Sequence, residues 1–168
     1  VYLTVLKSDG VIVPIDKELP ANEIVNLVNI SKAKAIVFSS KKKDLVLDMK
    51  DQMKSITTFI EMDANKSTNQ YISFDDLIEE GRKIYESGDD SYMKIDIDKR
   101  EFRILLFTSG TTSSAKGVML CHENITSNVV AASDILKLKS SDRFLSILPM
   151  HHTYELSLMI DFHLYYKN

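Results

Sequence analysis

A single cysteine, Cys121, is present in a chain of 168 residues. No internal disulfide can therefore close, and the sequence fits a reducing compartment. Long apolar runs are missing too, since none approaches the ~20 residues that a membrane-spanning helix needs. The most apolar late stretch, Leu156 to Tyr166, is broken by Asp161 and His163. There is no basic excess: 21 Lys and Arg against 24 Asp and Glu leave a net charge of -3. That balance lacks the electrostatic footprint of a nucleic-acid binder. No leader-like pattern precedes Val1-Tyr2-Leu3-Thr4-Val5-Leu6, and neither repeats nor low-complexity tracts occur. What remains is ordinary for a globular protein, 44% hydrophobic and 27% charged. Cytoplasm is the expected location, and neither nucleic acid nor a transmembrane segment is expected. Peripheral contact with a membrane is compatible with this composition. An initiator Met is also absent, and Val1 to Leu6 reads like the end of a helix begun earlier. Tyr165 to Asn168 carries no terminating signature. The expectation is a piece of a longer protein.

Short β-branched runs alternate with helical spacing along the chain. Val11 to Ile15 reads as a strand after the Asp9-Gly10 turn. Pro20 can open a helix whose apolar face carries Ile24, Leu27, Val28 and Ile30. Ala35 to Phe38 is continuous enough to be a strand buried on both sides. Lys41 to Met53 spaces Leu45, Met49 and Met53 four apart, as in a helix, and Ile56 to Ile60 is another strand. After the polar loop Asp63 to Gln70, Ser73 is placed to N-cap a helix, with Asp75 and Asp76 in its first turn. Leu77, Ile78, Ile84 and Tyr85 form that helix's apolar side, and Gly88 ends it. Ile95 to Asp98 alternates like an exposed edge strand, and Phe102 to Phe107 like a buried one. Val118 to Leu120 is a short strand leading to a helix through about Leu138, with Ile125, Val129, Ser133 and Leu136 aligned. Phe144 to Leu148 and Thr153 to Tyr165 predict a last strand and a last helix. This alternation predicts an α/β fold, a largely parallel sheet flanked by helices.

The chemistry concentrates after Phe107. Residues Ser109 to Val118 hold five hydroxyl side chains, two glycines and one lysine. Small residues let backbone N–H groups converge on an anion, hydroxyls donate to its oxygens, and a lysine adds positive charge. That set suits a polyphosphate, although Ser, Thr and Gly are also generic loop residues. A Walker A loop is excluded by order, because Lys116 precedes Gly117 and Val118 stands where the hydroxyl for Mg²⁺ belongs.

The run Phe107-Thr108-Ser109-Gly110-Thr111-Thr112, then Lys116-Gly117-Val118-Met119-Leu120 and His122-Glu123-Asn124, resembles the signature of the adenylate-forming (AMP-binding) superfamily. Two positions depart from it. Ser113 stands for the usual Gly and Ala115 for the usual Pro; both stay small, but Ser tolerates positive φ less well. Leu148-Pro149-Met150-His151-His152-Thr153-Tyr154-Glu155 resembles the corresponding segment of long-chain acyl-CoA synthetases. Upstream, Val13-Pro14-Ile15 and Ala33 to Val37 are similar to family segments as well.

The resemblance implies that residues 1–168 are part of the N-terminal domain of a fatty-acid–CoA ligase. Such an enzyme joins a small-molecule carboxylic acid to ATP, releasing pyrophosphate, and then transfers the acyl group to coenzyme A. It further implies that Thr108, Ser109, Gly110, Thr111, Thr112, Ser113, Lys116 and Gly117 hold the nucleotide. Thr108 and Lys116 would act in catalysis, with Thr108 beside Mg²⁺, while His152 and Glu155 would line the acid pocket. The adenine, ribose and C-terminal lid segments of the family are not found in these residues, so the chain alone is expected to be inactive. Two alternatives stay open: a non-catalytic phosphate-binding α/β module, or an adenylate former using an aryl acid, an amino acid or an acyl carrier protein. Cys121 reads as a small packed residue. The four histidines lack metal-ligand spacing. Lys41-Lys42-Lys43 and Asp89-Asp90 read as solvated surface.

Overall fold

The structure, a computed structural model, describes residues 1–108, 116–136 and Arg143. In chain order these form α1 (Tyr2–Leu6), α2 (Ala21–Ser31), β1 (Ala35–Phe38), α3 (Lys43–Asp48), β2 (Thr58–Glu61), β3 (Ile72–Ser73), α4 (Phe74–Glu86), β4 (Phe102–Thr108), β5 (Lys116–Cys121) and α5 (His122–Leu136). Single 3-10 turns lie at Ser40–Lys42, Lys50–Gln52 and Ser91–Lys94. The expected elements at Phe144 to Leu148 and Thr153 to Tyr165 lie outside the described residues. The chain divides into two compact units, one of Asp16–Ile95 and one of Val1–Ile15 with Asp96–Asn168.

In the unit Asp16–Ile95, three strands pair in parallel in the order β1-β2-β3, with Ala35 opposite Thr58 and Ile60 opposite Ile72. The expected parallel sheet with helices is present. Pro20 stands at the start of α2, where its carbonyl accepts from the N–H groups of Glu23 and Ile24. Ile24, Val25, Leu27 and Val28 are buried along this helix, as their spacing requires, but Ile30 stands 53% exposed. Of the residues of β1 only Phe38 is buried. Among the described residues β1 stands at the edge of this sheet, without the second neighbour that double-sided burial implies.

The expected single helix from Lys41 to Met53 is broken into a 3-10 turn, α3 and a second 3-10 turn. Asn29 fastens the far end of this stretch. Its amide donates to the Gln52 carbonyl at 2.8 Å and accepts from the Lys54 N–H at 2.9 Å. These bonds tie the segment that follows to α2, and Met53 turns inward to 2% exposure. The expected strand at Ile95 to Asp98 does not form. There the Asp98 carboxylate accepts from the Arg100 N–H, and its carbonyl from the Glu101 N–H, so the chain turns instead. Ser73 does cap α4, its hydroxyl accepting from the Asp76 N–H. The apolar side expected of α4 is not covered, since Ile78, Ile84 and Tyr85 are 50%, 48% and 69% exposed.

The other unit is built on an antiparallel pair, β4 with β5. The strand expected at Val11 to Ile15 reduces to one bridge, Ile12 beside Ile104 in parallel. Ile12 exchanges two 2.9 Å backbone bonds with Arg103 and Leu105. Pro14, which has no N–H, cannot extend that ladder. Leu6, Ile104, Leu106, Ile125 and Val129 form the core, with Tyr2, Ile12 and Leu120 packed against it. Helices α1 and α5 thereby hold β4 in place. Arg103 is also buried, its guanidinium donating to Asp9 and Glu101.

Candidate functional site: the mouth of the β4–β5 hairpin

Strand alternation decides where β4 sends its last side chain. Ile104 and Leu106 are buried, and Thr108 follows on the same face two residues later. It is exposed, one step beyond the core. Across the hairpin, Thr108 pairs directly with Lys116, and opposed residues of an antiparallel pair project from the same face. A cation and a hydroxyl are thus fixed side by side where the intervening segment leaves and re-enters the sheet. Lys116 is exposed and, among the described residues, makes no ion pair. The Thr108 hydroxyl donates only a long 3.4 Å bond to the Lys116 carbonyl, so it is weakly engaged. An anion at this mouth would meet a free ammonium and a free hydroxyl, with no carboxylate competing among the described residues. These residues fit a phosphate chain.

Gly117 has a packing reason as well. A Cβ there would come to 3.0 Å from Leu105 Cδ1 and 3.6 Å from Phe107 Cε1. The side chains of β4 close over the glycine, keeping the two strands flush beneath the mouth. Ser109, Gly110, Thr111, Thr112 and Ser113 lie outside the described residues, as do His152 and Glu155. Thr108 and Lys116 are the expected site residues that the structure brings together.

Sequence reasoning gave no physical role to Asn124, and the structure does. Its amide oxygen accepts from the Cys121 N–H at 2.9 Å and from the Cys121 thiol at 3.1 Å. This is the backward half of a capping box, in which the third helical residue satisfies the N–H of the capping residue. It turns β5 directly into α5. The Glu123 N–H adds a bond to the Lys99 carbonyl, and its carboxylate pairs with Arg100 at 3.0 Å. The spacing Cys121-x-x-Asn124 was the available signal, obscured because Cys is not a usual capping residue.

The chain also matches known proteins. Residues 1–165 match the family described as AMP-binding enzyme. The chain belongs to that family. It is 30% identical over 153 residues to a CoA ligase of Gibberella moniliformis, covering 89% of this chain and 22% of that protein. A medium-chain-fatty-acid–CoA ligase of Ectopseudomonas oleovorans is 28% identical over 159 residues, covering 90% of this chain and 28% of its own length. The chain therefore spans about a quarter of the length of these curated relatives. A solved long-chain-fatty-acid-CoA ligase from Archaeoglobus fulgidus superposes with a TM-score of 0.72 at 20% identity, covering 93% of this chain and 29% of that one. At that identity the likeness establishes the fold, that of the N-terminal domain of adenylate-forming enzymes. Members of the AMP-binding family use ATP. Among the described residues, no helix is long and apolar enough to cross a membrane.

Proposed function

We propose that this chain carries the triphosphate grip of an ATP-dependent acid–thiol ligase that activates a fatty acid and passes it to coenzyme A. The observation that carries the reading is the register of Thr108 opposite Lys116 at the end of a strand anchored in the core. In the first step a carboxylate oxygen bonds to the α-phosphorus, and the bond to the bridging oxygen breaks, releasing pyrophosphate. In the second, the sulfur of a thiol bonds to the acyl carbon and AMP departs with the acyl oxygen. The obstacle in step one is repulsion between an anionic nucleophile and an anionic triphosphate. Fixed N–H groups, hydroxyls and a cation lower that barrier and stabilise charge on the leaving group.

Ser109, Gly110, Thr111, Thr112, Ser113, Lys116 and Gly117 form the cradle in this reading. Thr108 lies near the α-phosphate and the metal. Mg²⁺, held mainly by phosphate oxygens and water, would neutralise part of the charge. His152 and Glu155 line the pocket for the acid. Residues 1–168 make up part of the N-terminal domain, and the adenine-, ribose- and lid-forming segments come from the rest of the protein. The CoA ligases among the relatives support coenzyme A as acceptor. Cytoplasm is the proposed location.

The test is acid-dependent ATP–pyrophosphate exchange by the full-length protein and its Lys116→Ala variant. Removing one preorganised charge-stabilising group costs on the order of 10²-fold in rate, so exchange should fall by about that factor with circular dichroism unchanged. Equal exchange by the two proteins rejects the role given to Lys116.

A further inference from the structure

A second cationic feature lies in the unit Asp16–Ile95, at the edge of the sheet where β1 begins. A groove of about 450 Å³ is lined by Asn29, Lys32, Lys34, Lys54 and Ser55. All three lysines are exposed, and none pairs with a carboxylate among the described residues. Three like charges around one concavity repel each other, and an anion bound between them would relieve that repulsion. The walls are held in place. The Asn29 amide ties the Gln52–Lys54 segment to α2 by the two bonds already described. On the opposite side, the Lys34 carbonyl accepts the N–H groups of Thr57 and Thr58, at 2.9 and 3.1 Å.

The helix dipole accounts for only part of this. Lys32 follows the last turn of α2, where a cation complements the exposed carbonyls, but Lys34 and Lys54 lie outside that helix. The partial negative charge of a helix end, roughly half an elementary charge, is outweighed by three ammonium groups. We propose that this groove binds a soluble polyphosphate-bearing ligand. Lysine acts on phosphate as a point charge, whereas planar carboxylates are matched by the fork of arginine, and no arginine lines the groove. The site is independent of the hairpin mouth and stands whether or not the proposed ligase activity does.

Calorimetric titration of the full-length protein with inorganic tripolyphosphate tests the assignment, in a Lys116→Ala background that removes the cation of the hairpin mouth. Binding should persist in that background and weaken as salt is added. Combining Lys32→Gln, Lys34→Gln and Lys54→Gln should reduce affinity at least tenfold, on the order expected for losing three partly screened charge contacts. The three side chains are exposed, so folding should be retained, which circular dichroism checks. No binding in the Lys116→Ala background, or equal binding after the three glutamine changes, overturns the proposal. Association with vesicles containing phosphatidic acid, without tripolyphosphate binding, overturns the soluble ligand.

Discussion

Lys32 ends α2 with a φ of 55°, the one positive value among the described non-glycine residues. A side chain in the left-handed region costs roughly 1–2 kcal/mol relative to glycine, which enters it freely. Lys32→Gly should therefore raise stability by about 1 kcal/mol, read as a higher urea midpoint at unchanged slope. A lower midpoint would mean that the lysine's charge at the helix end outweighs its backbone strain. Lys43 shows the opposite, a charged group placed for stability. Its ammonium donates to the Tyr71 hydroxyl at 2.8 Å and lies 3.2 Å from the buried Glu61 carboxylate. The hydrogen bond to Tyr71, and after it the bond to Glu61, hold its pKa above the ordinary 10.5. Because the folded-state value is the higher one, this stabilisation is complete below the unfolded value and disappears as pH rises through the folded value. Wild type should be more stable than Lys43→Met at neutral pH, and the gap between their urea midpoints should close above about pH 10.5. A gap that is constant with pH would show that Lys43 acts through packing alone. Neither residue was legible beforehand. Lys43 read as solvated surface because its partners lie at positions 61 and 71, out of reach of any local pattern.

Local signals served best where one element decided its own boundary. Ser73 was placed at the start of α4 by its residue type and the acids behind it, and it caps that helix. It is 0% exposed, and its hydroxyl also donates to the Ala64 carbonyl. Ser73→Ala should thus lose the cap and the bond to the partly buried Ala64 carbonyl, costing about 1–2 kcal/mol in urea unfolding. A change within a few tenths would show that water replaces both bonds. The same local logic overreached between Lys41 and Met53. There the apolar spacing was helical, but the chain forms a 3-10 turn, α3 and a second 3-10 turn instead. It overreached again at Ile95 to Asp98, where alternation looked like a strand and the Asp98 carboxylate made a turn. At Asp98 a side chain that bonds to nearby backbone overrode periodicity. The hairpin mouth was legible because it depends on residue order along one strand and its return. The antiparallel pairing was not read from the sequence, yet it is what places Thr108 beside Lys116.

At the scale of the whole molecule, the alternation of strands and helices was enough to give the α/β class, and the ordered loop was enough to give the family. The sequence could not supply the rest of the catalytic apparatus, because this chain spans about a quarter of the length of its curated relatives. Adenylation needs the carboxylate held in line with the α-phosphate, and the effective molarity gained by such positioning can reach about 10⁵–10⁸ M. A phosphate grip with part of an acid pocket, lacking the adenine-, ribose- and lid-forming segments, does not hold the two reactants in line. The 168-residue chain by itself should therefore give no acid-dependent ATP–pyrophosphate exchange under conditions in which the full-length protein exchanges readily. Both should be assayed at equal molar concentration, with circular dichroism confirming that the short chain is folded. Robust exchange by the short chain would mean that residues 1–168 align acid and nucleotide without the adenine-, ribose- and lid-forming segments, and that division of labour would fall.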